Sequence, residues 1–581
     1  MMRYPFLFVL VCLSSRLFSQ DSLLKISTQS DVFVRTYQIM KQLPDSIYQM
    51  KIVSGKKMEI ISLNAQQLDL STNNYRQLFK RTPGIYVSEH DASGLQASIS
   101  TRGLSANRSW ELNMRQNGYD IAADPSGYPE TYYTPTLDAV AKVDVYRGSS
   151  ALQYGTQFGG MINYQFKDKL NDQPFSFENS QTIGSFGLFN SFTALGGNVK
   201  NWSYYGFVHH RNADGFRQNS QYTTGSYFGK LSYQLKKGKV SAEYSNSAYI
   251  SQQAGGIFDT LLQFNPDTSF RARNWFQVNW NTLSLQGEYA FSPLSKIHFY
   301  TAITFSDRNS VGFTKSLTTL DTFNTLIGSY NPRQVDIDHY LTQSSEIRYL
   351  KQYKLGQQLQ TWTIGVRFCN SEIHRLQQGI GSTNSDLDLI VSPDNSGNVF
   401  QKDLLLGTQN IALFSEHLFK VGKRLSVTPG FRSEYLINQL SGRSNNFASG
   451  IMEIQEKNRI ILLGGLSSNF QLYTKQRMKW SLYANATQNY RPVMYSELLP
   501  SSTTEVVDQA MKDVTGFTSE LGTKGVFMDR KGPITFDINV FYLRYNGKIG
   551  TYSVNNAPFK TNIGDVVSKG MEAYVEWSFF N

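Results

Sequence analysis

The chain of 581 residues is short of cysteine, short of charge and without a long apolar run, and each shortage removes a class of answers. Its two cysteines are Cys12 and Cys369. Cys12 falls in an export signal expected over residues 1–19: Arg3, an apolar run from Phe6 to Leu13, then Leu17-Phe18-Ser19 ahead of Gln20. Val11 is too large for a lipoprotein cleavage motif, so a lipid anchor is not expected. Removal of the signal leaves Cys369 alone, a packed or lipid-facing thiol without a disulfide or cysteine metal cluster. No stretch reaches the roughly 18 consecutive apolar residues of a spanning helix. A membrane crossing would therefore have to use strands. Charged residues make up only 17% while aromatics reach 14%, a balance that suits many strands and polar loops better than a helical enzyme.

Chemistry-bearing clusters are scarce as well. His209 and His210 are neighbours and so point to opposite faces of a strand, a poor chelating arrangement. His90, His298, His339, His374 and His417 show no ligand spacing. No nucleophile stands beside an oriented base, so neither an enzyme, a cofactor nor a resident metal site is expected. The net charge of +11 comes from Lys and Arg scattered through turns and strand ends, without the basic and aromatic face that nucleic acid requires. At the mouth of a pore such an excess would favour anionic ligands.

What the sequence does have is alternation. From about residue 171 to 581, segments of about ten residues place apolar side chains on every second position. Tyr227, Gly229, Leu231 and Tyr233 oppose Lys230, Ser232 and Gln234, and Ile534, Phe536, Ile538 and Val540 repeat the pattern. Short breaks at 236–239, 292–296, 420–423, 474–478 and 529–533 alternate with long polar stretches at 250–275, 307–338, 375–407, 441–455 and 491–515. Short turns at one end and long loops at the other are the rhythm of a transmembrane β-barrel. Roughly 16 strands are expected, with Glu572 on the last.

The N-terminal part reads differently. Residues 20–60 are polar and weakly periodic. Residues 61–170 form a small α/β pattern: a helix capped by Asn73-Asn74 and ended by Pro83-Gly84, then strands near 85–87, 99–101, 112–114 and 143–146. The stretch Val143 to Tyr164, VDVYRGSSALQYGTQFGGMINY, is a glycine-marked strand-turn-strand unit and lacks the Gly-Lys-Ser/Thr ending of a phosphate loop. A domain this short needs outside support for its core, and a barrel lumen would supply it.

Four motifs occur in order: NYRQLFKRTPGIYV from Asn74, ISTRGL from Ile99, NGYDIAADPSGYPETYYTP from Asn117, and RGSSALQYG with GGMIN from Arg147. Together they resemble the plug domain of TonB-dependent outer-membrane receptors, the third being closest to the ferric dicitrate branch. The resemblance implies a mixed fold, with a small α/β plug inside an antiparallel barrel of about 22 strands. With about 16 strands legible, a chain truncated at its C-terminus is expected, a natural 16-stranded barrel being the alternative.

The function implied is TonB-dependent import of a ferric siderophore or ferric citrate-like chelate through the Gram-negative outer membrane, by a monomer embedded in lipid. An importer of cobalamin, haem or another scarce nutrient shares these motifs; a passive porin would not need them. A glycan importer commonly adds an N-terminal domain for which the segment before residue 60 is too short. A TonB box, which adds as a strand to its partner, is placed at about 45–53, beginning Asp45, Ser46, Ile47 and Tyr48. Ligand contacts are expected from two plug loops, one with Ser105, Asn107 and Arg108, the other with Tyr119, Asp124, Tyr128, Glu130, Tyr132 and Tyr133. An arginine offers charge-assisted hydrogen bonds to chelate oxygens, and tyrosines offer flat walls. A plug-to-barrel latch is expected to pair Arg102 and Arg147 with Glu520 and Glu572.

Overall fold

A computed structural model of the chain describes residues 41–578 apart from 44–45, 64–67, 90–92, 149–151, 156, 317–318, 327, 448–450, 476, 503, 530 and 555–556. The expected export signal and Asp45 lie outside these residues.

From Ser176–Ile183 to Ala557–Trp577, sixteen long strands are each paired antiparallel to the next, and two short strands, Val391–Ser392 and Val506–Val507, bring the sheet to eighteen. Alternation explains the wall. In Tyr222–Leu235, Tyr227 and Leu231 are 46% and 48% exposed, whereas Thr224, Ser226 and Ser232 are buried. This inverts the pattern of a protein in water: the apolar face turns outward to lipid and the polar face inward, while the ladder satisfies the backbone. Among the described residues, no ladder joins Ser176–Ile183 to Ala557–Trp577.

Hairpin turns of two or three residues close one end, and connections of up to about twenty residues cross the other, as the alternating rhythm implies. Two details differ. The 441–455 stretch is mostly strand, because Leu425–Ser444 and Ile451–Lys475 run on until only six residues connect them. Tight turns between Phe189–Val199 and Trp202–Ala213 and between Gln334–Leu355 and Gln358–Gly381 had no sequence expectation. Both follow from strands of up to 25 residues, far longer than the 9–11 needed to cross a bilayer. Beyond the lipid, a strand has no apolar face to betray it.

Inside this wall sits a six-stranded sheet in the order Lys41–Gln42, Met58–Ser62, Val140–Tyr146, Met161–Phe166, Asn113–Gln116, Tyr119–Asp120. The glycine-marked stretch returns on itself, pairing Met161 with Tyr146 antiparallel, and its outgoing strand then pairs parallel with Asn113–Gln116. A second hairpin joins Ile85–Glu89 to Ala97–Thr101. The helix Tyr75–Phe79 is capped by Asn74, whose side chain accepts from the Gln77 amide at 3.0 Å. The folded unit reaches N-terminal of residue 61, since Val53, Met58 and Ile60 are buried with Tyr146 and Tyr154.

Much of the plug's apolar core is shared with the wall. Tyr75, Phe79, Ile162, Tyr164 and Phe166 pack in one cluster with Phe192, Phe207, Phe228, Phe276 and Trp280 of the wall. Phe166 meets Phe228 edge-on at 5.0 Å between ring centroids. A domain of about a hundred residues with little core of its own borrows the inner wall as its other half. Cys369 lies in that interior, buried and unpaired.

Candidate functional site: two arginine clusters

The first cluster lies where the plug sheet meets the last strands. Arg102 follows the strand Ala97–Thr101, and Arg147 follows Val140–Tyr146, so both guanidiniums project from strand ends toward the wall. Val514–Asp529 and Ala557–Trp577 present Glu520 and Glu572 on their inward faces. Arg102 grips Glu572 with two bonds, Nε to Oε1 at 3.0 Å and Nη2 to Oε2 at 3.2 Å, and also contacts Glu520. Arg147 Nη1 lies 3.1 Å from Glu572 Oε1 and donates to the Pro83 carbonyl, while Nη2 donates to Glu59 Oε1 at 2.6 Å. Lys57 continues the chain, 3.3 Å from Glu59 and 2.9 Å from Asp537.

All seven side chains are buried, so each charge depends on the others for the solvation it has lost. Two glycines let the plug approach this closely. At Gly148, with φ +53°, an added Cβ would stand 2.7 Å from Glu520 Oε1; at Gly84, with φ +77°, it would stand 2.2 Å from Glu572 Oε1.

The structure thus brings Arg102, Arg147, Glu520 and Glu572 together, and adds Glu59, Lys57 and Asp537, which the sequence reading passed over. Glu59 had a signal: Met58 and Ile60 alternate around it. Asp537 lies between two of the outward apolar residues already noted at Phe536 and Ile538.

A second set of contacts fixes the plug at mid-height. Asp120 accepts from Arg367 at 2.7 Å and lies 3.5 Å from Arg115. Burial opposes its charge, but Arg115 and Arg367 hold its carboxyl below the usual range. Lys56 pairs with Glu416.

The other arginine cluster faces the long-loop end. Arg308 Nη1 lies 2.9 Å and Arg375 Nη2 3.2 Å from the one carboxylate of Asp338, while Arg108 Nε lies 3.1 Å from Glu130. Beneath the guanidiniums are aromatic rings: Arg108 is 4.6 Å from the centre of Tyr132, Arg375 4.9 Å from Tyr128, and Arg308 5.3 Å from Phe276. These cations retain partial exposure, 24% for Arg108, 12% for Arg308 and 11% for Arg375. Three cations share two carboxylates, so this cluster carries more positive than negative charge.

The expected ligand residues separate. Asn107 is exposed and Arg108 half-buried, but Tyr119, Tyr128, Tyr132 and Tyr133 are buried. Tyr128 and Tyr132 share a 2.7 Å hydroxyl contact, and Tyr132 donates to Glu130 at 2.6 Å. Tyr133 stacks on Trp280 at 6.4 Å, its hydroxyl donating to Gln116 at 2.7 Å. Tyr119 accepts from Gln116 at 2.6 Å. Aromatic rings bury more area against an aromatic wall than in an open loop, so the tyrosines pack beneath the arginines rather than at the surface. Arg308 and Arg375 were missed because both fall at the start of stretches expected as long polar loops, 307–338 and 375–407, whereas the strands Ser295–Gly312 and Gln358–Gly381 run on through them.

In the expected TonB box, Ile47–Tyr48 pairs with Lys51–Ile52 in a tight hairpin, and the Tyr48 hydroxyl donates to Asp144 at 3.0 Å. Ser46 accepts from the Val53 amide through its carbonyl at 2.9 Å. Among the described residues, no cluster of three His, Cys, Asp or Glu side chains is placed to hold a metal ion.

The family profile described as "TonB dependent receptor-like, beta-barrel" matches residues 239–581, and that of the "TonB-dependent Receptor Plug Domain" matches residues 56–161. The ferric citrate transporter FecA in its unliganded form is similar in structure, with TM-score 0.73 and 19% identity over 90% of this chain and 74% of that one. The ferric yersiniabactin uptake receptor FyuA from Yersinia pestis gives 0.67 and 14%, covering 90% and 76%. The siderophore receptor PiuA from Acinetobacter baumannii gives 0.69 and 14%, covering 90% and 77%. No curated protein matches in sequence.

Proposed function

The chain belongs to the family of TonB-dependent receptors, plugged barrels of the outer membrane, and from that premise we propose that it imports an anionic ferric chelate of the citrate or siderophore class. The observation that carries this reading is the arginine cluster at the long-loop end: Arg108, Arg308 and Arg375 against Tyr128, Tyr132 and Phe276, three cations with two carboxylates, Glu130 and Asp338. Guanidiniums pair two donors with carboxylate or catecholate oxygens, and ring faces beneath them accept a flat ligand. Structural kinship with the ferric citrate transporter and two siderophore receptors supports the same class of cargo.

In this reading the chelate settles on the outer arginine cluster and draws Arg308 and Arg375 away from Asp338. The change at the plug apex alters how firmly the sheet holds the hairpin Ile47–Tyr48/Lys51–Ile52 on the opposite side. TonB takes that segment as an added strand and pulls. The latch of Arg102, Arg147, Glu520 and Glu572 keeps the rest of the plug seated against the pull. No covalent chemistry is involved, and the protein works as a monomer.

Binding of ferric citrate and of ferric catecholate and hydroxamate chelates to Arg308→Ala/Arg375→Ala tests the proposal. Loss of two charge-assisted bonds predicts affinity weaker by about 10- to 100-fold for the chelate carried. Undiminished binding of every ferric chelate, with loss for cobalamin alone, would replace iron by cobalamin as the cargo.

A further inference from the structure

We propose that the short-turn rim of the barrel is a seat for acidic phospholipid headgroups of the inner leaflet of the outer membrane, centred on the hairpin at 475–478. The charge of the chain is divided between its ends. The seven turns at 200–201, 236–237, 293–294, 356–357, 422–424, 476–477 and 530–531 contain fifteen residues, of which eight are Lys or Arg and none is Asp or Glu. The connections at the opposite end reverse this, with eleven carboxylates against six Lys or Arg. Asp386, Asp388 and Asp394 fall in a single one of them.

The basic side chains stand in the layer where headgroups lie. Just inside the turns runs a girdle of outward aromatic residues: Trp202 on Tyr233 at 4.7 Å, Tyr289 on Phe291 at 5.2 Å, and exposed Tyr473, Trp480 and Phe527. Such rings mark the boundary between hydrocarbon and headgroup. Lys236, Lys237, Lys423, Arg424, Lys475 and Arg477 are exposed immediately beyond it. A lysine or arginine there lays its stem on the apolar edge and extends its charge to phosphate.

One place has more than charge. Tyr473, Lys475, Arg477, Met478 and Phe527 line a surface hollow with an apolar floor and two cations on its lip. Lys475 Nζ is 5.6 Å from the centre of the Tyr473 ring, and the Arg477 carbonyl accepts from the Met528 amide of the next hairpin at 2.7 Å, which fixes the turn. A glycerophosphate group with its acyl chains leading up the wall matches both the floor and the lip. An acidic protein would use the lip but has no need of a floor continuous with the lipid-facing girdle.

The test uses the purified full chain in neutral detergent, titrated with dioctanoyl phosphatidylglycerol and separately with dioctanoyl phosphatidylcholine while thermal unfolding is followed. Phosphatidylglycerol should raise the midpoint by about 4 °C more than phosphatidylcholine does, and about 0.5 M salt should remove most of the difference. Lys475→Gln/Arg477→Gln should lose about half of it, and Lys423→Gln/Arg424→Gln a smaller part, with both variants compared by midpoint without added lipid. Asp386→Asn/Asp388→Asn should keep it whole. Equal shifts with both lipids, a difference that survives salt, or a full response from the 475/477 variant would overturn the proposal. So would a larger shift with polyglutamate, which would assign the rim to an acidic protein.

Discussion

The plug carries one arginine cluster at each end, and they differ in how their charge is balanced. In the inner one, Arg102, Arg147 and Lys57 face Glu59, Glu520, Asp537 and Glu572, with every group buried. In the outer one, three arginines share Glu130 and Asp338 and keep some exposure. The same side chain serves two ends. A sealed guanidinium among carboxylates in excess resists separation, because parting it strands a charge in a dry place. An under-matched guanidinium at the edge of water keeps donors for something that arrives.

The largest effect is expected from breaking the sealed end. Arg147→Ala leaves Glu59 and Glu572 without that partner and should cost about 3–5 kcal/mol of plug seating. Thermal unfolding and single-channel conductance read it: an earlier plug transition and current through the barrel are the expected outcome. Wild-type conductance together with wild-type uptake would show that these charges do not hold the plug. At the outer end, Arg308→Ala/Arg375→Ala should weaken chelate binding while leaving that transition in place, the reverse of Arg147→Ala. If both variants change stability alike, the contrast between the clusters is unfounded.

Gly148→Ala probes the inner end by space instead of charge. A methyl at φ +53° and 2.7 Å from Glu520 Oε1 should cost about 1–3 kcal/mol, seen as an intermediate shift of the same transition.

The smallest effect concerns pH. Burial and the neighbouring Arg348 push the Lys51 ammonium down to about 7. Its folded pKa lies below its unfolded one, so between about pH 7 and 10 the unseated chain binds more protons, and seating strengthens as pH rises. A spin label at Gln49→Cys should therefore become less mobile from about pH 6.5 to 9.5, and Lys51→Met should abolish the trend. A label equally mobile at both ends of that range would remove Lys51 from the account.

The two clusters were not equally legible in the sequence. Arg102 and Arg147 each precede a glycine inside an ordered motif, and the resemblance pointed to Glu520 in SELGTKG and Glu572 in SKGMEAYVE as their partners. The aromatic content of the second plug loop was plain as well, but not that Tyr128, Tyr132 and Tyr133 turn inward. Nor did Arg308, at the start of a stretch expected as a polar loop, advertise that it meets Arg108 two hundred residues away. The basic excess was expected to favour anions at the pore mouth; its densest part lies instead in the turns at the other end.

Alternation, turn length and composition, all local properties, determined that this chain builds a lipid-facing wall and a small companion domain. Period two needs only neighbours to be read, since a strand's faces are set by its own backbone. Which charges meet, which rings are covered and where donors remain free were decided by tertiary structure alone. Those outcomes depend on register between strands and on the depth at which the plug sits, and neither is written within the reach of a single segment.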